Sequence, residues 1–159
     1  SLGNIYISGS FRVMAVFGGN QYFAQGESDI FVAKYNPLGN NLWVQTAGGN
    51  FEDKALGLYV AYNGNCFLTG YFQGNANFQG HSLVSSGGDD FFVACYNSSG
   101  VLDWIQQGGG PSPDRGHTII QTIAEDIVVA GIFQGNATFG TSSLNSAGDN
   151  DTIRILFYR

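Results

Sequence analysis

The chain repeats itself with a fixed period of 61 residues. The segment 29–36 (DIFVAKYN) returns at 90–97 (DFFVACYN), and 90 − 29 = 61. Trp43 returns as Trp104, and the segment 72–76 (FQGNA) returns unchanged at 133–137. No insertion or deletion is needed to keep this register. A fixed period of this length is typical of repeat architectures, in which each copy forms one supersecondary unit.

Some positions carry the same residue in all three copies. We interpret these positions as structural, because a residue that serves every copy serves the repeat unit itself. The tryptophan pair belongs with them, since large aromatic side chains pack first into cores. The structural set is Gly9, Gly70 and Gly131; Asp29, Asp90 and Asp151; and Trp43 and Trp104.

One period predicts four short strands, called A to D. Strands A (55–61) and B (66–72) flank Asn63-Gly64, a pair that favours the type I′ hairpin turn. Strands C (91–96) and D (101–107) flank a second tight turn that ends at Gly100. The segments 73–89 and 108–115 are predicted as the longer connections, from B to C and from D to A.

This pattern predicts an all-β fold made of β-propeller blades of four antiparallel strands. A β-sandwich would not require the repeat, whereas a propeller blade does, and its apolar residues on both faces suit a sheet that lies between two others. The 159 residues contain about 2.6 blades. Residues 1–47 supply strands B, C and D, 48–107 a complete blade, and 108–159 strands A, B and C. The remaining blades of the ring are expected from the same longer chain or from other chains.

The motif order names a resemblance. DIFVAKYN, a glycine, Leu-Trp, Gly-Gly, an acidic pair, a strand, Gly-Asn, a strand ending Thr-Gly and a Phe-Gln-Gly turn together resemble the bacterial β-propeller repeat family often described as seven-bladed. Two segments depart from the pattern, 12–14 (RVM) in the first copy and 151–154 (DTIR) in the third. The resemblance implies an exported protein, located outside the cell or at the cell surface.

Charge and motifs exclude several classes of function. The net charge of −6 and six scattered basic residues argue against binding of nucleic acid. No run of 18 apolar residues predicts membrane insertion. His81 and His117 take different positions in the repeat, and neither is spaced from an acid or a cysteine as a nucleophilic or metal site requires. The chain is therefore predicted not to be an enzyme.

The long connections are the natural recognition surface. In an antiparallel blade the D-to-A and B-to-C connections emerge at the same end, and loops on a rigid scaffold carry binding. A protein or a glycan is the expected partner there. The candidate ligand-binding residues are Gln73, Asn75, Gln134, Asn136, Asp53 and Asp114.

The first functional hypothesis is an extracellular scaffold or adhesive, protein-binding module. The alternative is a lectin-like glycan binder in which Phe78 and Phe139 stack on sugar rings; if these rings fill the space between blades instead, the amides only complete turns. A third hypothesis is the propeller domain of a secreted hydrolase.

No cofactor is predicted apart from a minor calcium hypothesis, because hard cations prefer carboxylate oxygens; the alternative is that these aspartates fix turns. The calcium set is Asp89, Asp90, Asp149 and Asp151. Cys66 and Cys95 are expected to be free buried thiols. Since strands B and C bring them to nearly opposed positions, a cross-strand disulfide stays open as the alternative.

Overall fold

The computed structural model describes residues 3–157, and every element in that range is a β-strand. The first eight are β1 (Ile5–Phe11), β2 (Met14–Phe17), β3 (Asn20–Phe23), β4 (Asp29–Tyr35), β5 (Asn41–Gly49), β6 (Lys54–Val60), β7 (Cys66–Phe72) and β8 (Asn75–Phe78). The others are β9 (His81–Val84), β10 (Asp90–Tyr96), β11 (Leu102–Gly109), β12 (Arg115–Gln121), β13 (Ile127–Phe133), β14 (Asn136–Phe139), β15 (Ser142–Asn145) and β16 (Asp151–Phe157). The all-β prediction is confirmed.

The strands form three larger antiparallel sheets and one hairpin. Sheet I has the order β1-β4-β5-β8-β9, sheet II β15-β14-β11-β10-β7-β6 and sheet III β12-β13-β16, while β2 and β3 pair with each other. The predicted strands A, B, C and D of the middle copy are β6, β7, β10 and β11. Strands 61 residues apart hold equivalent places: β1, β7 and β13 begin at residues 5, 66 and 127.

The connections between strands B and C are not loops, as the sequence predicted, but contain hairpins. After β7 leaves sheet II, β8 pairs with β5 of sheet I, with Gly48 opposite Asn77. In the same way β14 pairs with β11 of sheet II. Each hairpin therefore completes the sheet of the preceding copy. The equivalent β2–β3 hairpin pairs only with itself among residues 3–157.

The type I′ turn was predicted at the wrong place. In the turn between β6 and β7 only Gly64 has a positive φ, 87°, and its N–H donates to the carbonyl of Ala61. A type I′ turn needs two positive φ values. The two-residue loop between β8 and β9 has them, at Gln79 (φ 50°) and Gly80 (φ 89°).

Two apolar cores lie between the sheets. The core between sheets I and II contains Ile30 and Val32 of β4 with Leu68, Phe72 and Phe92 of sheet II. The core between sheets II and III contains, among others, Phe67, Phe91, Val93, Val129 and Phe133. Every residue of β7 and β10 is buried, because successive side chains of a strand face opposite cores.

The pairing of β7 with β10 excludes a disulfide between the two cysteines. Cys95 lies opposite Phe67, and Cys66 lies opposite Tyr96. Cys66 belongs to the core between sheets I and II, whereas Cys95 belongs to the other core. Their side chains therefore leave opposite faces of sheet II, and both thiols are free and buried.

Candidate functional site

Two buried aspartates bring the long connections together at one end of the sheets. Asp53 Oδ2 accepts a hydrogen bond from the N–H of Gly49 at 2.8 Å, and its Oδ1 accepts one from the N–H of Gln73 at 3.1 Å. The carboxylate thereby ties the end of β5 to the start of the β7–β8 connection. Asp114 repeats the arrangement with Gly110 at 2.7 Å and Gln134 at 3.2 Å. Both aspartates are fully buried, so they position this end of the sheets and do not present themselves to a ligand.

The aspartates that begin strand C fix the turn before it. Asp90 Oδ2 accepts a hydrogen bond from the N–H of Ser86 at 3.0 Å, and Asp29 Oδ2 accepts one from Gln25 at 3.2 Å. Asp151 does the same with Ala147 at 2.6 Å. This is the turn-fixing geometry expected of a structural aspartate. The Oδ1 atoms of Asp29 and Asp90 are buried and make no hydrogen bond.

Burial disfavours the charged form of these carboxylates. It raises the pKa of Asp53 to about 7, and the neighbouring charges of Asp29 and Glu52 add to the rise. It raises the pKa of Asp90 to about 6, with smaller contributions from the charges of Asp114 and Asp89. The pKa values of Asp29 and Asp114 are raised by burial as well. These groups therefore oppose folding once they ionise.

The four aspartates of the calcium hypothesis do not converge. The carboxylate of Asp89 forms an ion pair with Arg115 and accepts a hydrogen bond from the side-chain amide of Gln73. Asp90 caps its turn, Asp151 caps the equivalent turn, and Asp149 is exposed. Within residues 3–157, no three Asp, Glu, His or Cys side chains are grouped as a metal site would need.

A charged network crosses all three sheets at this end. The Glu52 carboxylate contacts Lys54 Nζ at 2.8 Å, Arg12 at 3.2 Å and the Tyr71 hydroxyl at 2.7 Å. These hydrogen bonds, first that of Lys54 and then that of Tyr71, lower the pKa of Glu52 to about 2. The guanidinium of Arg115 lies 4.6 Å from the centre of the Tyr71 ring.

The sequence reasoning missed this network because it followed the repeated positions. Arg12 stands where the other copies have Gln73 and Gln134, and Tyr71 stands where they have Ser10 and Ile132. A residue that differs between copies at a defined place is free of the duties of the repeat. Irregular positions at the connections were therefore the available signal.

Phe51 is the exposed aromatic residue of this end. Half of its surface is accessible, although a large aromatic ring in water costs free energy. It lines a shallow cavity of about 350 Å³ together with Gln73, Gly74, Gly87 and Gly88. The third copy has Ser112 at this position. We call the surface formed by Phe51, Gln73–Gly74 and Gly87–Gly88 the Phe51 patch.

The amides and phenylalanines of the lectin hypothesis are separated by the fold. Asn75 and Asn136 are exposed, whereas Phe78 is 0% and Phe139 8% exposed. Phe78 packs on Phe92 with ring centres 5.0 Å apart. Because both rings fill the cores between sheets, they cannot stack on a sugar.

The raised aspartate pKa values predict a protein that is more stable in mild acid. A pKa raised from 3.8 to about 7, as at Asp53, lowers the free energy of unfolding as pH rises through that interval. The lowered pKa of Glu52 costs stability only as pH falls from about 4.5 towards 2. We expect the Tm to be at least about 3 °C higher at pH 5 than at pH 8 in thermal scans followed by circular dichroism. Asp53→Asn should reduce this difference, and an equal or higher Tm at pH 8 would contradict the assignment.

The comparisons with known proteins agree with a repeat fold. No protein-family model matches the chain. Among curated proteins, the chain is similar to an uncharacterised WD repeat-containing protein of Acanthamoeba polyphaga mimivirus, with 27% identity over 121 residues. These residues are 76% of this chain but 7% of that protein. No helix lies within residues 3–157, and hence none there is long and apolar enough to cross a membrane. WD repeats form propeller blades of four strands, so the similarity favours propeller-like blades and a protein-binding repeat module for this chain.

Proposed function

We propose that the chain is part of a β-propeller and acts as a non-enzymatic protein-binding module. Each of its 61-residue repeats would form one blade, with sheets I, II and III as neighbouring blades of a ring. Support comes from the two cores that lie on opposite faces of sheet II and from the similarity to a WD repeat protein. The unpaired β2–β3 hairpin supports a further blade beside sheet I, because β8 and β14 both pair with a strand D.

The Phe51 patch carries the proposal of protein binding. An exposed aromatic ring beside glycine-rich backbone offers apolar contact area with little side-chain entropy to lose, as interface hot spots do. The framework beneath it is held by the buried hydrogen bonds of Asp53 to Gly49 and Gln73. A partner would therefore meet a preorganised surface, which lowers the entropy cost of association. The patch fits a protein that inserts an apolar side chain between Phe51 and Gly87.

Photo-crosslinking tests this surface. A benzophenone amino acid placed at position 51 is expected to crosslink a discrete protein from an extract of the source organism. An excess of the unmodified chain should compete, and an excess of Phe51→Ala should not. Leu38, 84% exposed at the opposite end of the sheets, is the matched control position. The same crosslinks from position 38, or equal competition by Phe51→Ala, would refute the Phe51 patch as the contact.

An adhesive role and a location outside the cell stay predictions that the repeat resemblance implies. A glycan ligand stays a prediction without the stacking rings on which it relied. The exposed amides Asn75 and Asn136 are what it has left. A glycan array with Asn75→Ala and Asn136→Ala as variants tests it: signals that both changes abolish would favour the lectin.

A further inference from the structure

The two junctions between sheets differ at one position in a way that opens a cavity. Lys34 of β4 lies between Tyr6 and Trp43 in sheet I. The equivalent residue of sheet II is Cys95, which lies between Phe67 and Trp104. The repeat therefore places a long cationic side chain at one junction and a short neutral one at the other.

At the first junction the cation is enclosed. Lys34 is 9% exposed, its Nζ lies 5.2 Å from the centre of the Tyr6 ring, and it donates to the Ser98 carbonyl at 2.7 Å. Trp43 completes the surroundings, with its ring 5.9 Å from that of Tyr6. This junction is thus built around an alkylammonium group that the chain itself supplies.

At the second junction the equivalent region contains a cavity of about 200 Å³. Three aromatic rings line it: Phe67 and Trp104 are 6.1 Å apart, and Trp104 and Phe157 are 6.4 Å apart. Aromatic faces attract cations, most strongly those of tryptophan. Gln106, Gln121 and Ile127 are further lining residues.

Glu125 also lines this cavity, and its backbone is strained. Its φ is 68°, where the equivalent turn of the middle copy has Gly64 with φ 87°. A side chain in this left-handed region costs free energy that glycine avoids. The carboxylate therefore stands at the cavity despite a penalty that a glycine would remove.

We propose that the cavity between sheets II and III binds an alkylammonium cation, whose ammonium takes the place that Lys34 Nζ fills at the first junction. The rings of Phe67, Trp104 and Phe157 enclose the cation. The cavity volume suits a group of the size of a lysine side chain. This site is separate from the Phe51 patch, because the β12–β13 turn that carries Glu125 lies at the opposite end of the strands.

Titration with n-butylammonium, followed by the indole N–H signals of the two tryptophans in proton–nitrogen NMR spectra, tests the proposal. The signal of Trp104 is expected to shift with a saturable curve and a Kd on the order of 1 mM. The signal of Trp43 should not move, because Lys34 fills its junction. The neutral analogue n-butanol should bind at least tenfold more weakly. An unmoved Trp104 signal, or equal binding of n-butanol, would overturn the cation site.

Filling the cavity from within supplies the matched variants. Cys95→Lys should place the chain's own ammonium among the rings and abolish binding, and Cys95→Met should abolish it without adding a charge. Cys66→Ala, on the other face of the same sheet, should bind as the unchanged protein does. Full binding by a folded Cys95→Lys or Cys95→Met variant would refute the location.

The source of the cation is separated by a second ligand. Acetyl-lysine amide with a free ε-amine carries the same side chain on a peptide backbone. Binding of both ligands supports recognition of a lysine on another protein, whereas binding of n-butylammonium alone supports a free amine. Loss of the Phe51 crosslinks would not affect either result, so the two proposals fail independently.

Discussion

Replacing Gly70 by alanine is expected to lower the free energy of unfolding by at least about 3 kcal/mol. A Cβ atom at this position would lie 1.9 Å from the carbonyl oxygen of Lys54. The obstacle is backbone of the neighbouring strand β6, which cannot rotate away as a side chain would. For a chain of this length the loss corresponds to a Tm lower by about 6 to 12 °C. Urea denaturation at a fixed pH measures it.

The same repeat position offers graded controls. Gly131→Ala should cost as much as Gly70→Ala, since its Cβ would meet the Arg115 carbonyl at 2.0 Å. Gly9→Ala should cost about 1 kcal/mol, because its Cβ would meet only the edge of the Phe31 ring at 3.1 Å. Gly148, with nothing within 4 Å, should tolerate alanine within about 0.5 kcal/mol. Equal losses at positions 70 and 148 would contradict the explanation.

Phe92→Ala is expected to cost about 3 to 5 kcal/mol by leaving a cavity between sheets I and II. Phe92 is 0% exposed and packs on Phe78, which reaches the same core from the hairpin that completes sheet I. The variant therefore removes contacts on which two sheets depend. Thermal unfolding followed by circular dichroism gives the Tm, and denaturant titration gives the free energy.

Phe31 is the matched control, because it holds the position of Phe92 in the preceding copy. Its face of sheet I is only partly covered, by Phe17 at 4.7 Å and Phe11 at 6.4 Å between ring centres. Phe31→Ala should therefore cost about 1 to 2 kcal/mol. If both substitutions cost the same, burial between sheets I and II would not be the cause of the difference.

The strands were predictable wherever one residue pattern serves one purpose. Alternating apolar residues predicted β7 at 66–72, and repetition carried that prediction to β1 and β13. The hairpins were missed because 73–89 has polar residues and glycines, as a loop has. Its signal was the alternation in 75–78, where Ala76 and Phe78 are buried and Asn75 and Asn77 are exposed.

The candidate sites were predictable only in part, for the same reason. Repetition singled out Asp53 and Asp114 correctly as important, but their burial makes them parts of the framework. Phe51 and Glu125 are exposed residues at positions where other copies have different side chains. Sequence periodicity hides such residues, since it weights what the copies share. Differences between copies, compared at equivalent positions, are the better guide to binding in a protein of this kind.

The hairpin exchange affects how such a protein can evolve. Because β8 and β14 each complete the sheet of the preceding copy, a single copy cut at any point is not a self-contained folding unit. Removal or duplication of any stretch of 61 residues, however, gives every hairpin a strand D of the same kind to pair with. Unequal recombination at any point in the repeat therefore changes the number of copies without creating a new interface. Copies can be added first and acquire separate ligands afterwards, as the exchange of lysine for cysteine between positions 34 and 95 illustrates.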